Sequence, residues 1–316
     1  MKVTVKNLEI NDEYLMSHDA MPFTLNKRTT GDHIYSWTTV PRFFPESMRE
    51  PTILVKYLFS HTKQVGLDDM AMPDQPGKDE LIEECHEITF DEFSSYYEGD
   101  SHAKYGTIWY ADKMYDAIFQ TRETHDRIKE KYGRSISLVY PAADCAVVRF
   151  YDPKKQVVGL VHSDAVHTTG DIIGKCVAYM RDHFGCNVDD IEVYVGAFAQ
   201  DGWTHDRLPN FAKKDDSDSE INDVWKDYIV IEDGNYIIQY GDKIFDQLRS
   251  SGIRYENIYF DPDNTLFNDD YFSHSRSYHS RVDGVPTYRE GRNLVGITFD
   301  YDRLFEGADE NEVILK

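Results

Sequence analysis

Ala143-Asp144-Cys145-Ala146-Val147-Val148-Arg149-Phe150-Tyr151-Asp152-Pro153-Lys154-Lys155-Gln156-Val157-Val158-Gly159-Leu160-Val161-His162-Ser163 decides how this chain folds. Two apolar runs rich in β-branched and aromatic residues, Cys145 to Tyr151 and Gln156 to Val161, flank Asp152-Pro153-Lys154-Lys155, a turn signal. The pattern predicts a hairpin that carries Cys145 and His162 to the same end of adjacent strands, although 17 positions separate them. A thiolate and an imidazole so placed could share a metal ion. The plainer alternative is a small buried Cys beside a hydrogen-bonded His, the usual fate of these residue types in strands.

Further strands are expected at Thr52–Phe59, Gly106–Tyr110, Asp116–Phe119, Ile136–Tyr140 and Ile191–Val195. Between Gly170 and Phe184 the apolar residues Ile172, Ile173, Cys176, Val177, Met180 and Phe184 recur at helical spacing. Gln239 to Ser251 repeats the pattern through Ile244, Phe245 and Leu248 before Gly252. Cys176 and Met180 therefore read as core. The result is an α+β protein in which sheets and flanking helices form a sandwich. With 316 residues and no low-complexity linker, a single domain covering 1–316 is expected; Lys213 to Glu220 is a short polar loop.

Thirty-four Lys and Arg against 57 Asp and Glu leave a formal charge of −23, which repels a phosphate polymer at long range, so no nucleic-acid partner is expected. A small metabolite held by local groups is compatible with that field. Met1 to Ile10 alternates like an edge strand, without a hydrophobic signal core, and no long apolar run follows, so no membrane is expected as a partner. Four irregularly spaced cysteines, Cys85, Cys145, Cys176 and Cys186, make no disulfide framework. A reducing, cytoplasmic setting is the expectation.

Ala143 to Gly196 resembles the multicopper polyphenol oxidase, or laccase-domain, family, the YfiH-like proteins regarded as purine nucleoside phosphorylases. The resemblance rests on Ala143-Asp144-Cys145, Asp152-Pro153, Gly159-Leu160-Val161-His162, Phe184-Gly185 and Val193-Tyr194-Val195-Gly196. Upstream, Tyr115-Asp116-Ala117-Ile118-Phe119-Gln120-Thr121 is similar to the family's Ala-Asp-Ala-Leu-Val-Thr strand. Downstream, Phe272-Ser273-His274-Ser275-Arg276 and Gly291-Arg292 look like its Phe-Ser-x-Arg-Arg and Gly-Arg elements. These motifs lie mainly within 100–300. The resemblance implies an α/β/β/α arrangement, and zinc held by Cys145, His162 and a third His that precedes the Asp116 strand. His102 is the preferred candidate and His86 the alternative; Asp144 is a candidate proton carrier or ligand orienter. A catalytic zinc typically has three protein ligands and an open position. The older copper label for the family fits poorly, because copper oxidase centres need more His, with axial Met partners, than the chain places in pattern.

The chain also departs from the family. Where the family has Gly-Trp-Arg/Lys-Gly after its second His, this chain reads His162-Ser163-Asp164-Ala165-Val166-His167-Thr168, so Val166 replaces the cation and Asp164 adds negative charge. Phosphate is disfavoured there unless Lys63, Arg149, Arg276 or Arg292 reaches the site. His167 is a candidate new site residue, against the alternative of a surface residue at a helix entry. The family's Gly-Pro-Cys-Cys-Tyr-type loop gives way to Gly196 to His205, whose Trp203 and His205 are candidates for contacting a base.

Three functions remain in play. The first is zinc-dependent cleavage of purine nucleosides, by phosphate or by water, with adenosine deamination in some relatives of the type. The second is a metal-free hydrolase or amidase with Cys145 as nucleophile and His162 as base. The third is a protein that binds a nucleoside or nucleotide without turnover.

Overall fold

A computed structural model describes residues 85–94, 97–98, 108–110, 115–132, 137–215, 219–269, 271–282, 285–286 and 293–299, together with the backbone of strands at 23–27, 35–39 and 57–59. Met1 to Ile10, His102, Lys63 and Arg292 lie outside the described residues.

The hairpin forms as read. Strand β9 (Ala146–Asp152) pairs antiparallel with β10 (Val157–Ser163), with Val157 opposite Asp152 and Ser163 opposite Ala146. Its turn is fixed by the Asp152 carboxylate, which accepts from the amides of Lys154 and Lys155 at 2.8 and 2.9 Å. Both strands are buried along their whole length, which explains why their sequence reads as a continuous apolar run rather than an alternation. They sit at the centre of a six-stranded mixed sheet in the order β15 (Ile258–Phe260), β11 (Glu192–Val195), β9, β10, β7 (Ala117–Thr121), β4 (Cys85–Glu87). Gly159 is needed in this sheet: a Cβ there would lie 2.5 Å from Cε1 of Phe119 on the neighbouring strand.

One face of the sheet meets a second, seven-stranded sheet, ordered β1 (Phe23–Lys27), β2 (Tyr35–Thr39), β18 (Asn293–Thr298), β8 (Ser137–Ala142), β3 (Tyr57–Phe59), β6 (Ile108–Tyr110), β5 (Tyr97–Glu98). Ile118, Val147, Val158 and Leu160 pack there with Leu138, Tyr140, Val295 and Ile297. Against the opposite face lie helices α4 (Ile172–Phe184) and α5 (Tyr240–Ser250). Ile173, Cys176, Val177, Met180, Ile244 and Leu248 bury into a core with Phe119, Val148, Phe150 and Val161. Cys176 and Met180 are core residues, as the helical spacing predicts. The chain is thus an α+β sandwich of mixed sheets, built as helices on sheet on sheet.

One sequence expectation needs correction. Residues 122–132 form α2 (Arg122–Tyr132), and the segment Gly196 to His205, read as a loop, ends in strand β12 (Asp201–His205). That strand pairs with β14 (Asn235–Gln239), which forms a hairpin with β13 (Ile229–Glu232). The turn signal Asp233-Gly234 was there to be read, with both residues at positive φ. Two short helices complete the frame of the site: α3 (Ala165–Thr169) directly after β10, and α6 (His274–His279). α1 (Phe90–Phe93) follows β4.

Candidate functional site

Cys145 and His162 meet at the open end of the β9–β10 hairpin. His162 lies opposite Val147, Ser163 opposite Ala146, and Cys145 is the next residue outward. The His162 ring is 7% exposed and stacks on Tyr140 of the facing sheet, with centroids 4.2 Å apart and planes at 17°. Its amide donates to the carbonyl of Asp116 at 3.0 Å. Cys145 is half-buried against the inter-sheet core.

The chain then turns so that α3 brings two more donors onto His162. Asp164 is the N-cap of α3; its Oδ1 accepts from the amide of His167 at 2.8 Å and sits 2.8 Å from Nδ1 of the same residue. On the other side, Nε2 of His167 lies 2.9 Å from Oδ1 of Asp116. Among the described residues, His162, Asp164 and His167 bring their donor atoms within 4.8 Å of one another. Cys145 is outside that group.

Electrostatics follow from this packing. Burial opposes a charge on His167, but hydrogen bonds to Asp116 and Asp164 and the charges of both outweigh it, and the imidazole is raised to about 10. Burial likewise disfavours the Asp164 carboxylate, yet its bonds to His167 and the nearby His162 and His167 rings hold it well below the ordinary range. The floor of the site is closed by Tyr240 at the start of α5. Its hydroxyl donates to the carbonyl of Ser163, and burial, then the neighbouring Cys145, keep the phenol protonated.

Asp144 holds the elbow before Cys145. It adopts a left-handed φ of 77° and its carboxylate accepts from Thr265 Oγ1 at 2.6 Å, Ser273 Oγ at 2.9 Å and the Ser275 amide at 2.7 Å. It ties the hairpin end to α6. Three donors directed at one carboxylate fix its direction and the backbone around it.

Other expected residues go elsewhere. Arg149 is fully buried between the sheets, its Nε donating to the carbonyl of Tyr194 at 3.3 Å with Asp261 nearby. Arg276 donates to Asp269 and to the carbonyls of Asn268 and Tyr271 at 2.9 and 2.6 Å; it lines a cleft of about 430 Å³ with Trp203, Phe267 and His279. Trp203 is itself packed on Phe211 and His205. His86 stacks on Tyr115 and lies 2.8 Å from the Glu92 carboxylate, two strands away from β10. His167, in contrast, stands in the site rather than on the surface. Sequence reasoning missed Asp116 as its partner, and took Asp164 only as added negative charge. The signal for Asp164 was present: an Asp just before a short helix that places His three residues on.

The sequence profile of a family described as multi-copper polyphenol oxidoreductase laccase matches residues 124–293, more than half of the chain. Two solved structures share the fold. The hypothetical protein YfiH of Bacillus licheniformis aligns over 89% of this chain and 98% of its own at 17% identity, with a TM-score of 0.56. YlmD from Geobacillus stearothermophilus aligns over 89% and 97% at 16% identity, with a TM-score of 0.53. No curated protein matches the chain by sequence.

Proposed function

The chain belongs to the multi-copper polyphenol oxidoreductase laccase family, and from that premise we propose that it cleaves the N-glycosidic bond of purine nucleosides with a divalent metal, zinc first, at His162. The observation that carries this reading is the cluster of His162, Asp164 and His167 at the Cys145 end of the hairpin. Two imidazoles and a carboxylate are a donor set that suits zinc, and Cys145 stands beside them as the alternative thiolate ligand. Bound there, zinc would lower the pKa of a water and polarise an oxygen of the substrate.

The protein's own residues orient and select. Tyr140 holds the His162 ring by stacking, Asp116 and Asp164 hold the His167 ring, and Asp144 fixes the backbone that presents Cys145. Phosphate finds little support. Val166, 57% exposed, stands where the family has a cation, two carboxylates hold the next residue, His167, and Arg149 and Arg276 are engaged elsewhere. Water is therefore the favoured acceptor, and hydrolysis the favoured reaction.

The test is release of free base from adenosine, inosine and guanosine, with and without phosphate, by wild type and His162→Ala. Phosphate-independent release that His162→Ala abolishes supports the proposal. Phosphate-dependent release would restore phosphorolysis. Activity that survives chelation but is lost in Cys145→Ala would replace it with a thiol hydrolase, and tight nucleoside binding without product with a binding protein.

A further inference from the structure

We propose that Cys85 and Cys176 are an oxidative modification site: a dithiol that hydrogen peroxide converts reversibly into a disulfide, locking edge strand β4 onto helix α4. The proposal is independent of the nucleoside reading above.

The geometry carries it. Cys85 opens β4, the outermost strand of the six-stranded sheet, and Cys176 is buried on α4 in the core between that sheet and the helices. Their Sγ atoms are 3.5 Å apart, although 91 positions separate them in sequence. A disulfide requires about 2.0 Å, so about 1.5 Å of approach closes the bond. A second contact holds the same two elements in register. Glu87, two residues along β4, meets His183, two turns along α4, with Oε2 and Nε2 2.8 Å apart. Residues i and i+2 share one face of a strand, and residues two turns apart share one face of a helix, so the two contacts lie side by side.

The other thiols are set apart. Cys145 packs against the core between the two sheets, whereas Cys85 and Cys176 belong to the core on the helix side. Cys186 is buried, and burial, then Asp152, keep its thiol protonated. Within the pair, half-buried Cys85 meets an oxidant first, and fully buried Cys176 resolves the product.

The chemistry balances in two steps. The Cys85 thiolate attacks peroxide: an S–O bond forms, the O–O bond breaks, and hydroxide leaves to take up the thiol's proton as water. The Cys176 sulfur then attacks the Cys85 sulfur: S–S forms, S–O breaks, and the hydroxyl leaves with the Cys176 proton as a second water. Two thiols lose two electrons and one peroxide gains them; a small thiol reverses the bond by exchange. The bond also constrains the unfolded chain over a loop of about 90 residues, which raises the unfolding temperature.

The test uses the purified full-length chain, reduced, freed of reductant and titrated with hydrogen peroxide under native conditions. Free thiols are then alkylated with N-ethylmaleimide in denaturant, and the chain is mapped by mass spectrometry without reduction. Expected is an intramolecular Cys85–Cys176 peptide, lighter by two hydrogens than the two thiol peptides together, which dithiothreitol reopens. The melting temperature should rise by about 5–10 °C on oxidation. Cys176→Ala should lose both effects and leave Cys85 as a sulfenic acid that dimedone traps. A Cys85 that stays a thiol, or runs on to sulfinic acid with Cys176 still reduced, overturns the proposal. So does a bond from Cys85 to Cys145, to Cys186 or to a second chain, and so does a mapped Cys85–Cys176 bond that leaves the melting temperature unchanged or lower. The wild-type map and melting curve decide without the variant.

Discussion

At the scale of single residues, the site is built from conflicts resolved by neighbours. His167 is charged although half-buried, because two carboxylates hold it from opposite sides. Its pKa rises from the ordinary 6.5 to about 10 in the folded protein, so in the metal-free chain it contributes stability that is complete below about pH 6.5 and lost as pH rises through about 10. Asp164 has the opposite sign: its depressed pKa contributes stability above its ordinary 3.8, lost as pH falls into the acid range. Urea denaturation of metal-free protein between pH 6 and 10 should therefore show a decline that His167→Gln flattens; parallel slopes in the two proteins would contradict the pairing. Asp144 is the second such residue. Replacing it with Ala removes the acceptor for three donors and leaves a Cβ residue at φ 77°, for a loss of about 2–4 kcal/mol by denaturant titration. Gly159→Ala presses a methyl group onto Phe119 and should cost about 1–3 kcal/mol in the same assay.

The elements explain why some of this was legible and some was not. The β9–β10 hairpin and helices α4 and α5 announce themselves, because burial on both faces demands unbroken apolar runs and burial on one demands helical spacing. Asp171 and Gly185 mark the ends of α4 in the way a capping Asp and a left-handed Gly should. Gly185→Ala, forced to keep φ 67°, is expected to lower stability by about 1 kcal/mol; an unchanged unfolding midpoint would mean that the helix ends differently. The register between Cys145 and His162 was legible for the same reason, since a turn of known length fixes it. The third donor was not. His167 and Asp116 come together because α3 follows β10 and Asp116 precedes β7, the strand paired with β10, and Asp116 lies 51 positions before His167 in sequence, from 116 to 167, so no local pattern links them. Arg149 misled for a related reason: in a strand buried on both faces, a charged residue can turn into the inter-sheet space and find its partners there. Strand β12, paired with β14, hid behind Gly, Asp and His residues that read as loop.

For the molecule as a whole, a sheet-on-sheet sandwich backed by helices sets the site at one end of its central hairpin, where Asp116 just before β7, Cys145 just before β9, His162 in β10 and His167 in α3 lie at one end of the sheet. The formal charge of −23 favours cations over anions at long range, and the local cluster of donors favours a divalent cation in the same sense. No helix among the described residues is long and apolar enough to cross a membrane. The most direct test of the account is elemental analysis of the purified protein combined with base release from inosine, wild type beside His162→Ala. The account predicts about one zinc or similar divalent ion per chain and phosphate-independent release of the base, both lost in the variant. Wild-type protein that carries no metal after zinc reconstitution and releases no base would contradict it.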